Sequence, residues 1–236
     1  MTPLILVGAG GFARETAEAV RAVNEVAPTF DLLGFVDDDP SRAGTHVDGL
    51  PVLGPVASIA GHPGARVVVC TGSPADYTSR RRLVDRLDLP AARYATVVHP
   101  AAVVPRSAQL GPGTVVLATA VLTTAVHVGA HVALMPGVVL THDDVVGDYA
   151  TFGSGARLAG GARVGEGAYV GAGALVREHC TVGAWSLLGM GAVLTVDLPP
   201  GEVWAGVPAR RLRRADIPTD LLPPPPVTNP IVEASR

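Results

Sequence analysis

The run VGDYATFGSGARLAGGARVGEGAYVGAGALV, residues 146–176, carries a large apolar residue at every sixth position: Val146, Phe152, Leu158, Val164, Val170 and Val176. The register extends both ways without a slip. Upstream it takes in Leu140, Leu134, Val128, Leu122, Val116, Leu110, Val104 and Val98, and downstream Val182, Leu188 and Leu194. The position four residues after each is small or β-branched almost throughout, as at Ala102, Ala108, Thr114, Ala120, Val126, Val132, Val138, Ala150, Ala156 and Ala162. Glycine often follows the apolar residue directly, as at Gly111, Gly129, Gly147, Gly153, Gly165, Gly171, Gly183 and Gly189. Neither a helix, with its period of 3.6, nor a flat sheet, with its period of 2, satisfies this pattern. A period of six fits a short strand plus a turn, three of which close a triangular coil. The apolar residue fills the prism, the small one fits the corner, and glycine is expected to supply turn conformations that a Cβ resists.

Coils stack as neighbouring strands do, about 4.8 Å apart, so residues 98–194 predict a prism roughly 25 Å tall. Each coil buries its core only against its neighbours, so the ends need caps. The amino-terminal domain is expected over one end and Leu198 to Arg214 over the other. No hexad is interrupted, so no long loop should project from the prism.

Ahead of the repeat, Leu4–Val7 reads as a buried strand, Gly8 to Ala13 as a glycine turn, and Glu15 to Val23 as a helix. Leu32–Val36 is a second strand running into Asp37, Asp38 and Asp39, and Arg66–Cys70 a third, followed by Thr71 and Gly72. This is a βαβ unit, and ligands sit at the carboxyl ends of such strands. The spacing Gly8-x-Gly10-x-x-Ala13 nearly matches a dinucleotide fingerprint, and glycines there let a phosphate approach the helix N-terminus. Asp37, at the tip of the second strand, is placed to accept hydrogen bonds from a ribose or base. The predicted fold is therefore an α/β, Rossmann-like βαβ domain (1–92) followed by a left-handed parallel β-helix (93–197). A carboxy-terminal cap (198–214) and a Pro-rich tail (215–236) complete it.

Bulk properties narrow the function classes. With 236 residues and 48% hydrophobic content the chain can bury real cores. A net charge of −3 argues against a nucleic-acid binder. Its eighteen basic residues are all arginine, which reads as composition bias. Cys70 and Cys180 lack metal or redox spacing and read as buried thiols of a reducing compartment. Leu4–Val7 is too short for a signal peptide, and no apolar run approaches membrane-spanning length. The expectation is a cytoplasmic protein with no membrane partner.

These hexads, together with Gly206-Val-Pro-Ala-Arg210, resemble the hexapeptide-repeat acyltransferases. With the βαβ unit in front, the chain is similar to bacterial sugar O- and N-acetyltransferases acting on sialic acid or nucleotide-linked amino sugars. That resemblance covers residues 4–211. It implies a homotrimer, acetyl-CoA as co-substrate in grooves between prisms, and a small-molecule acceptor held by Gly10, Gly11, Phe12, Asp37, Asp38 and Gly72. By the same matching, Thr151, Gly160, Ala172 and Met190 line the acetyl-CoA groove, and His142 is the base. Two positions depart from the family's pattern. Phe12 and Thr151 stand where relatives usually carry histidine, which opens the acceptor identity and part of the acyl pocket. A γ-type carbonic anhydrase is the other reading of such a repeat, but its His-x4-His pair is missing, so no metal site is expected.

The residues themselves point to the same histidine. Acyl transfer from a thioester needs a base for the acceptor proton and polarisation of the carbonyl. No Ser/His/Asp or Cys/His motif is evident, which favours direct attack over an acyl-enzyme. His142 lies two residues after inward-facing Leu140, at a prism edge. Asp144 then breaks the small-residue slot, and a carboxylate directed inward is costly unless paired. Asp143 or Asp144 is therefore expected to orient and polarise His142. Residues eighteen apart stack, so Gly160 lies over His142 and is expected to leave room for a thioester. His99, His127, His131 and His179 read as structural, solvated or interfacial. Two further readings stay open: an acceptor that is not a sugar nucleotide, and a non-catalytic sugar-nucleotide-binding trimer.

Overall fold

A computed structural model, describing residues 1–222, sets every hexad of the repeat but one as a two-residue strand; at Val104 the chain makes only a bridge from Val103 to Val121. Pro223 to Pro226 and the rest of the expected tail beyond residue 222 lie outside the described residues. The strands form three parallel stacks, here called faces I, II and III in the order the chain visits them. Face I runs from Val97–Val98 through Val115–Val116 and every eighteenth residue to Leu187–Leu188, ending in the strands Glu202–Ala205 and Arg210–Arg214. Face II runs from Val121–Leu122 to Val193–Leu194, and face III from Gln109–Leu110 to Thr181–Val182. The stacking register is eighteen residues, as in Ala133↔Thr151 and Thr151↔Tyr169. Leu122, Leu134, Leu140, Phe152, Val170 and Leu188 are fully buried in the prism, with Ala150, Ala156, Ala162, Ala168 and Ala174 in the corner slot.

Glycine serves two different purposes in this coil. The position directly after the inward residue is not a left-handed turn; it is a point of close approach. A Cβ on Gly171 would lie 2.5 Å from the Met190 nitrogen of the next coil. The left-handed conformation falls two residues later, where glycine alternates with residues such as Asp143, Tyr149, His179 and Trp185. The turn role expected of the first position thus belongs to the second.

The coil closes early at its end: Val182 bridges Leu198 and Leu187 pairs with Val203, sixteen residues on rather than eighteen. Leu198 and Ala209 are buried in the prism core and Trp204 packs against it, so this segment covers the last coil. The first coil is different. Val98, Val104 and Leu110 are only partly buried, because the amino-terminal domain sits on a face of the prism instead of across its end.

That domain is a three-stranded parallel sheet in the order β2 (Phe30–Val36), β1 (Thr2–Val7), Arg66–Val69. Helix α1 (Gly11–Val26) buries Ala13, Thr16, Ala17, Ala19 and Val20, the spacing of one helical face. It packs with Phe12 against the outward side chains of face I, Val97, Val115, Leu117 and Met135. Helix α2 (Ser79–Leu87) completes the contact. Arg81 reaches Glu166 at 2.7 Å, and the Tyr77 hydroxyl donates to the Trp185 carbonyl at 3.1 Å.

His131 closes the same junction from the prism side. Its ring stacks on Tyr149 at 5.2 Å and meets Tyr94 edge-on at 4.5 Å. It is 5% exposed and its Nδ1 has no partner among the described residues. Burial, with Arg80 adding in the same direction and Asp148 opposing, pushes its imidazole down to about 4. The unfolded imidazole binds its proton near its ordinary value of about 6.5, so between those values the unfolded state holds more protons. The stability His131 contributes is therefore complete above about pH 6.5 and falls, by up to about 3 kcal/mol, as pH drops towards 4. Chemical denaturation from pH 7.5 to 4.5 should show the wild-type chain losing more stability than His131→Asn, which also tolerates the left-handed backbone. Parallel pH profiles for the two would show that His131 does not titrate this way.

Candidate active site

The edge where face II turns into face III carries His142. The turn Thr141–Asp144 owes its shape to the two aspartates. Asp143 adopts φ +63°, a conformation aspartate tolerates better than most residues, and its carboxylate lies beside the preceding ring. Its Oδ2 is 2.9 Å from His142 Nδ1. Asp144 points inward as its place in the repeat requires, and is fully buried. It accepts from the Thr141 amide at 2.7 Å and from the Ala162 amide of the next coil at 2.9 Å. Burial pushes its carboxyl up to about 6, against the pull of those two amides. Of the two expected partners, Asp143 touches the imidazole; Asp144 instead staples the turn to the coil above.

Gly160 is the second element of the site, in a different way from the expected one. A Cβ there would lie 2.3 Å from both Cε1 and Nε2 of His142. The space left by the missing side chain is filled by the imidazole itself, not held open for a thioester. The His142 side chain is otherwise exposed, at 61%. The Gly161 amide donates to the His142 carbonyl at 2.9 Å, whereas the Gly160 amide has no acceptor among the described residues.

The remaining groove residues lie elsewhere on this protomer. Ala172 and Met190 occupy the edge between faces I and II, where Gly155, Gly173 and Gly191 face open space and Met190 is 79% exposed. Thr151 begins a strand of face I and is buried beneath the amino-terminal domain. Within one chain, then, His142 and Gly160 are together, Ala172 and Met190 are together, and Thr151 stands apart.

The amino-terminal glycines line a cleft of about 360 Å³ with Phe12, Asp37 and Gly72. Gly10 caps α1 in an extended conformation with no side-chain cap, so the helix presents free amides there. Asp37 uses its carboxylate to build the cleft: Oδ2 accepts from the Ala9 amide at 2.8 Å and Oδ1 from the Asp39 amide at 2.9 Å. Asp38 turns away, accepting from the Val56 amide and pairing with Arg86, which holds its carboxyl below the usual range. In its place Asp39 and Arg42 line the cleft, with Thr71, Ser73, Asp76 and Ser79 opposite. The residues after Gly72 carried no signal, being polar and outside any repeat. Arg80 was equally hidden, since an arginine in SRRRLVDRL reads as a solvated helix face. It is 1% exposed, hydrogen-bonds to Thr71 and Thr151, and lies 6.0 Å from the Phe12 ring centroid.

The cleft and His142 are on opposite sides of the prism. The amino-terminal domain covers face I, and the His142 edge lies between the other two faces. Among the described residues there is no cluster of His, Cys, Asp and Glu able to hold a metal ion, and no helix long and apolar enough to cross a membrane.

Comparison with known proteins gives this geometry a family. Residues 3–87 match the PglD N-terminal domain. The acetyltransferase domain of PglB from Neisseria gonorrhoeae FA1090, solved in complex with acetyl coenzyme A, is 30% identical, with a TM-score of 0.80 over 89% of this chain and 99% of that one. PerB from Caulobacter crescentus, solved in complex with CoA and GDP-perosamine, is also 30% identical, with a TM-score of 0.77 over 89% and 97% of the two chains. WeeI from Acinetobacter baumannii AYE is 27% identical, with a TM-score of 0.76 over 90% and 100%. No curated protein sequence matches the chain. The chain belongs to the hexapeptide-repeat sugar acetyltransferases.

Proposed function

We propose that this protein transfers an acetyl group from acetyl-CoA to an amine or hydroxyl of an amino sugar or nucleotide-linked sugar, with His142 as general base. The observation that carries the reading is the His142–Asp143 pair resting on Gly160. With Asp143 accepting from Nδ1–H, the ring keeps the tautomer in which Nε2 has a free lone pair, the state a base requires. Nε2 takes the proton of the attacking amine or hydroxyl, Asp143 stabilises the imidazolium that forms, and the proton passes to the CoA thiolate as the C–S bond breaks. Bound acetyl-CoA supplies an activated thioester carbonyl. The unengaged Gly160 amide, beside Nε2, is suited to donate to the oxygen on which charge develops. Cys70 is buried, its thiol pushed up to about 12 by burial, and Cys180 is buried inside the prism, so neither suits an acyl-enzyme.

The partner reading is a homotrimer. Face II carries Val103, Val121, Val139, Leu175 and Val193 on its outer side, all at least partly exposed, with Arg157 among them. A trimer would cover that apolar face and bring the cleft of one protomer towards the His142 edge of another. It would also bring Ala172 and Met190 of one edge opposite Gly160, giving acetyl-CoA a groove between chains. The acceptor reading draws on relatives such as PerB, whose structure holds GDP-perosamine. The cleft here, with its free helix amides and Arg42, suits a phosphate-bearing acceptor of that class. A cytoplasmic location fits a reaction that consumes acetyl-CoA.

Replacing His142 by Ala should lower turnover about 100-fold or more with acetyl-CoA and an amino-sugar nucleotide, while analytical ultracentrifugation still shows a trimer. Near-normal turnover in that variant would remove His142 from the mechanism. Failure of the wild-type chain to bind acetyl-CoA in calorimetry would instead favour the non-catalytic reading. Gly160→Ala tests the geometry separately. Its methyl group would displace the ring by more than an ångström, and kcat should fall at least about tenfold while the melting temperature moves little. Unchanged kcat would mean that the ring need not lie over Gly160.

A further inference from the structure

Helix α2 carries four arginines, and three of them have acids. Arg81 pairs with Asp85 and Glu166, Arg82 with Asp76, and Arg86 with Asp38. Arg80 alone turns inward, and its partners are neutral oxygens. Nη1 donates to the Thr71 carbonyl at 2.9 Å. Nη2 donates to the Tyr149 carbonyl at 2.8 Å, the Ala150 carbonyl at 3.2 Å and Thr151 Oγ1 at 2.6 Å. Its Nε has no partner among the described residues. Carbonyl dipoles solvate the guanidinium without cancelling its charge, and a buried charge is costly unless paired.

The guanidinium stands directly behind the wall of the acceptor cleft. Thr71 and Gly72 form that wall, and a Cβ on Gly72 would lie 3.4 Å from Arg80 Nη1 and 4.0 Å from Thr151 Oγ1. At Gly72 the wall is thus one residue thick, with no side chain between the cleft and the guanidinium. Thr71 Oγ1, in the same wall, is buried without a partner among the described residues. The carboxylates of the cleft are already engaged. Asp37 and Asp39 share Arg42, at 4.0 and 3.5 Å, and Asp76 pairs with Arg82 at 2.6 Å. Across the cleft the amides of α1 add a partial positive charge.

We propose that Arg80 is a specificity-determining residue of the acceptor cleft: an unneutralised positive charge behind Thr71 and Gly72 that selects acceptors carrying phosphate over neutral sugars or nucleosides. This rests on the acceptor reading above and adds a residue to it. Arg80 acts through the wall, so it sets charge preference and does not touch the reacting atoms.

Calorimetry on the full-length chain tests it, with uridine and guanosine diphosphates and the two matching nucleosides as probes. The wild-type chain should bind a diphosphate more tightly than its nucleoside, and the gap should narrow with added salt. Arg80→Met should shrink the gap about tenfold or more, and Arg80→Lys should restore most of it. Equal weakening of diphosphate and nucleoside would leave Arg80 a purely structural role and overturn the proposal. So would an undiminished gap in Arg80→Met. Should Arg80→Met fail to fold, the wild-type chain still decides by NMR. The Arg80 guanidinium resonances, assigned by their loss in Arg80→Lys, should shift with a diphosphate and stay put with a nucleoside; no shift overturns the proposal. Wild-type protein that binds no nucleoside diphosphate overturns both this inference and the nucleotide-acceptor reading, whereas an unaltered gap in Arg80→Met overturns Arg80's part alone.

Discussion

Every coil of the prism lies in van der Waals contact with the next, so the side chain at any position is limited by residues eighteen or nineteen places away. The constraint is severest where backbone meets backbone. A Cβ on Gly165 would sit 2.4 Å from the Ala184 nitrogen, and one on Gly153 would sit 2.5 Å from the Ala172 nitrogen. Such contacts leave no room for adjustment, because close-packed interiors do not deform cheaply. The same constraint makes the site. His142 lies flat along its edge only because the residue stacked over it is glycine, and Asp144 reaches the Ala162 amide only because that amide lies one coil above. Fold and candidate catalyst therefore share one cause.

The uniformity of the repeat explains what sequence reading could recover. Inward residues recur every six places, so the prism was legible, and a carboxylate in the corner slot drew attention to the turn holding His142. Which aspartate touches the ring was not legible. That depends on the left-handed backbone at Asp143, and the repeat places glycine, histidine, tyrosine and tryptophan in the same conformation. The role of the glycine after each inward residue was misassigned for a related reason. Composition reveals that a Cβ is excluded, but not whether a turn or a neighbouring chain segment excludes it. The seat of the amino-terminal domain was hidden too, since face I presents Val97, Val115, Leu117 and Met135 outward in a pattern that an uncovered apolar face would share.

A triangular cross-section has a further consequence. A domain seated on one face is as far as it can be from the opposite edge. The amino-terminal cleft is fixed to face I by α1, α2 and the aromatic contacts of His131, and at the opposite edge Asp143 holds the His142 ring while Asp144 holds its turn. Neither can swing towards the other without breaking buried contacts. If the cleft holds the acceptor and His142 is the base, as proposed, a second copy of the chain would have to bring the missing half. The exposed valines and Leu175 of face II are where such a copy gains most from burial.

Phe12 and Thr151, the two positions at which the resemblance implies histidine, meet at a single residue. They are far apart in sequence, one in the glycine turn and one in the prism, yet both meet Arg80. A protonated imidazole at either place would face a buried guanidinium, and a neutral one would have to give up an acceptor lone pair to it. Phenylalanine offers the cation a π face, and threonine offers a hydroxyl oxygen while keeping its own proton free to donate. Both residues therefore suit a buried guanidinium, whose charge persists at every physiological pH, where a titratable imidazole would compete with it.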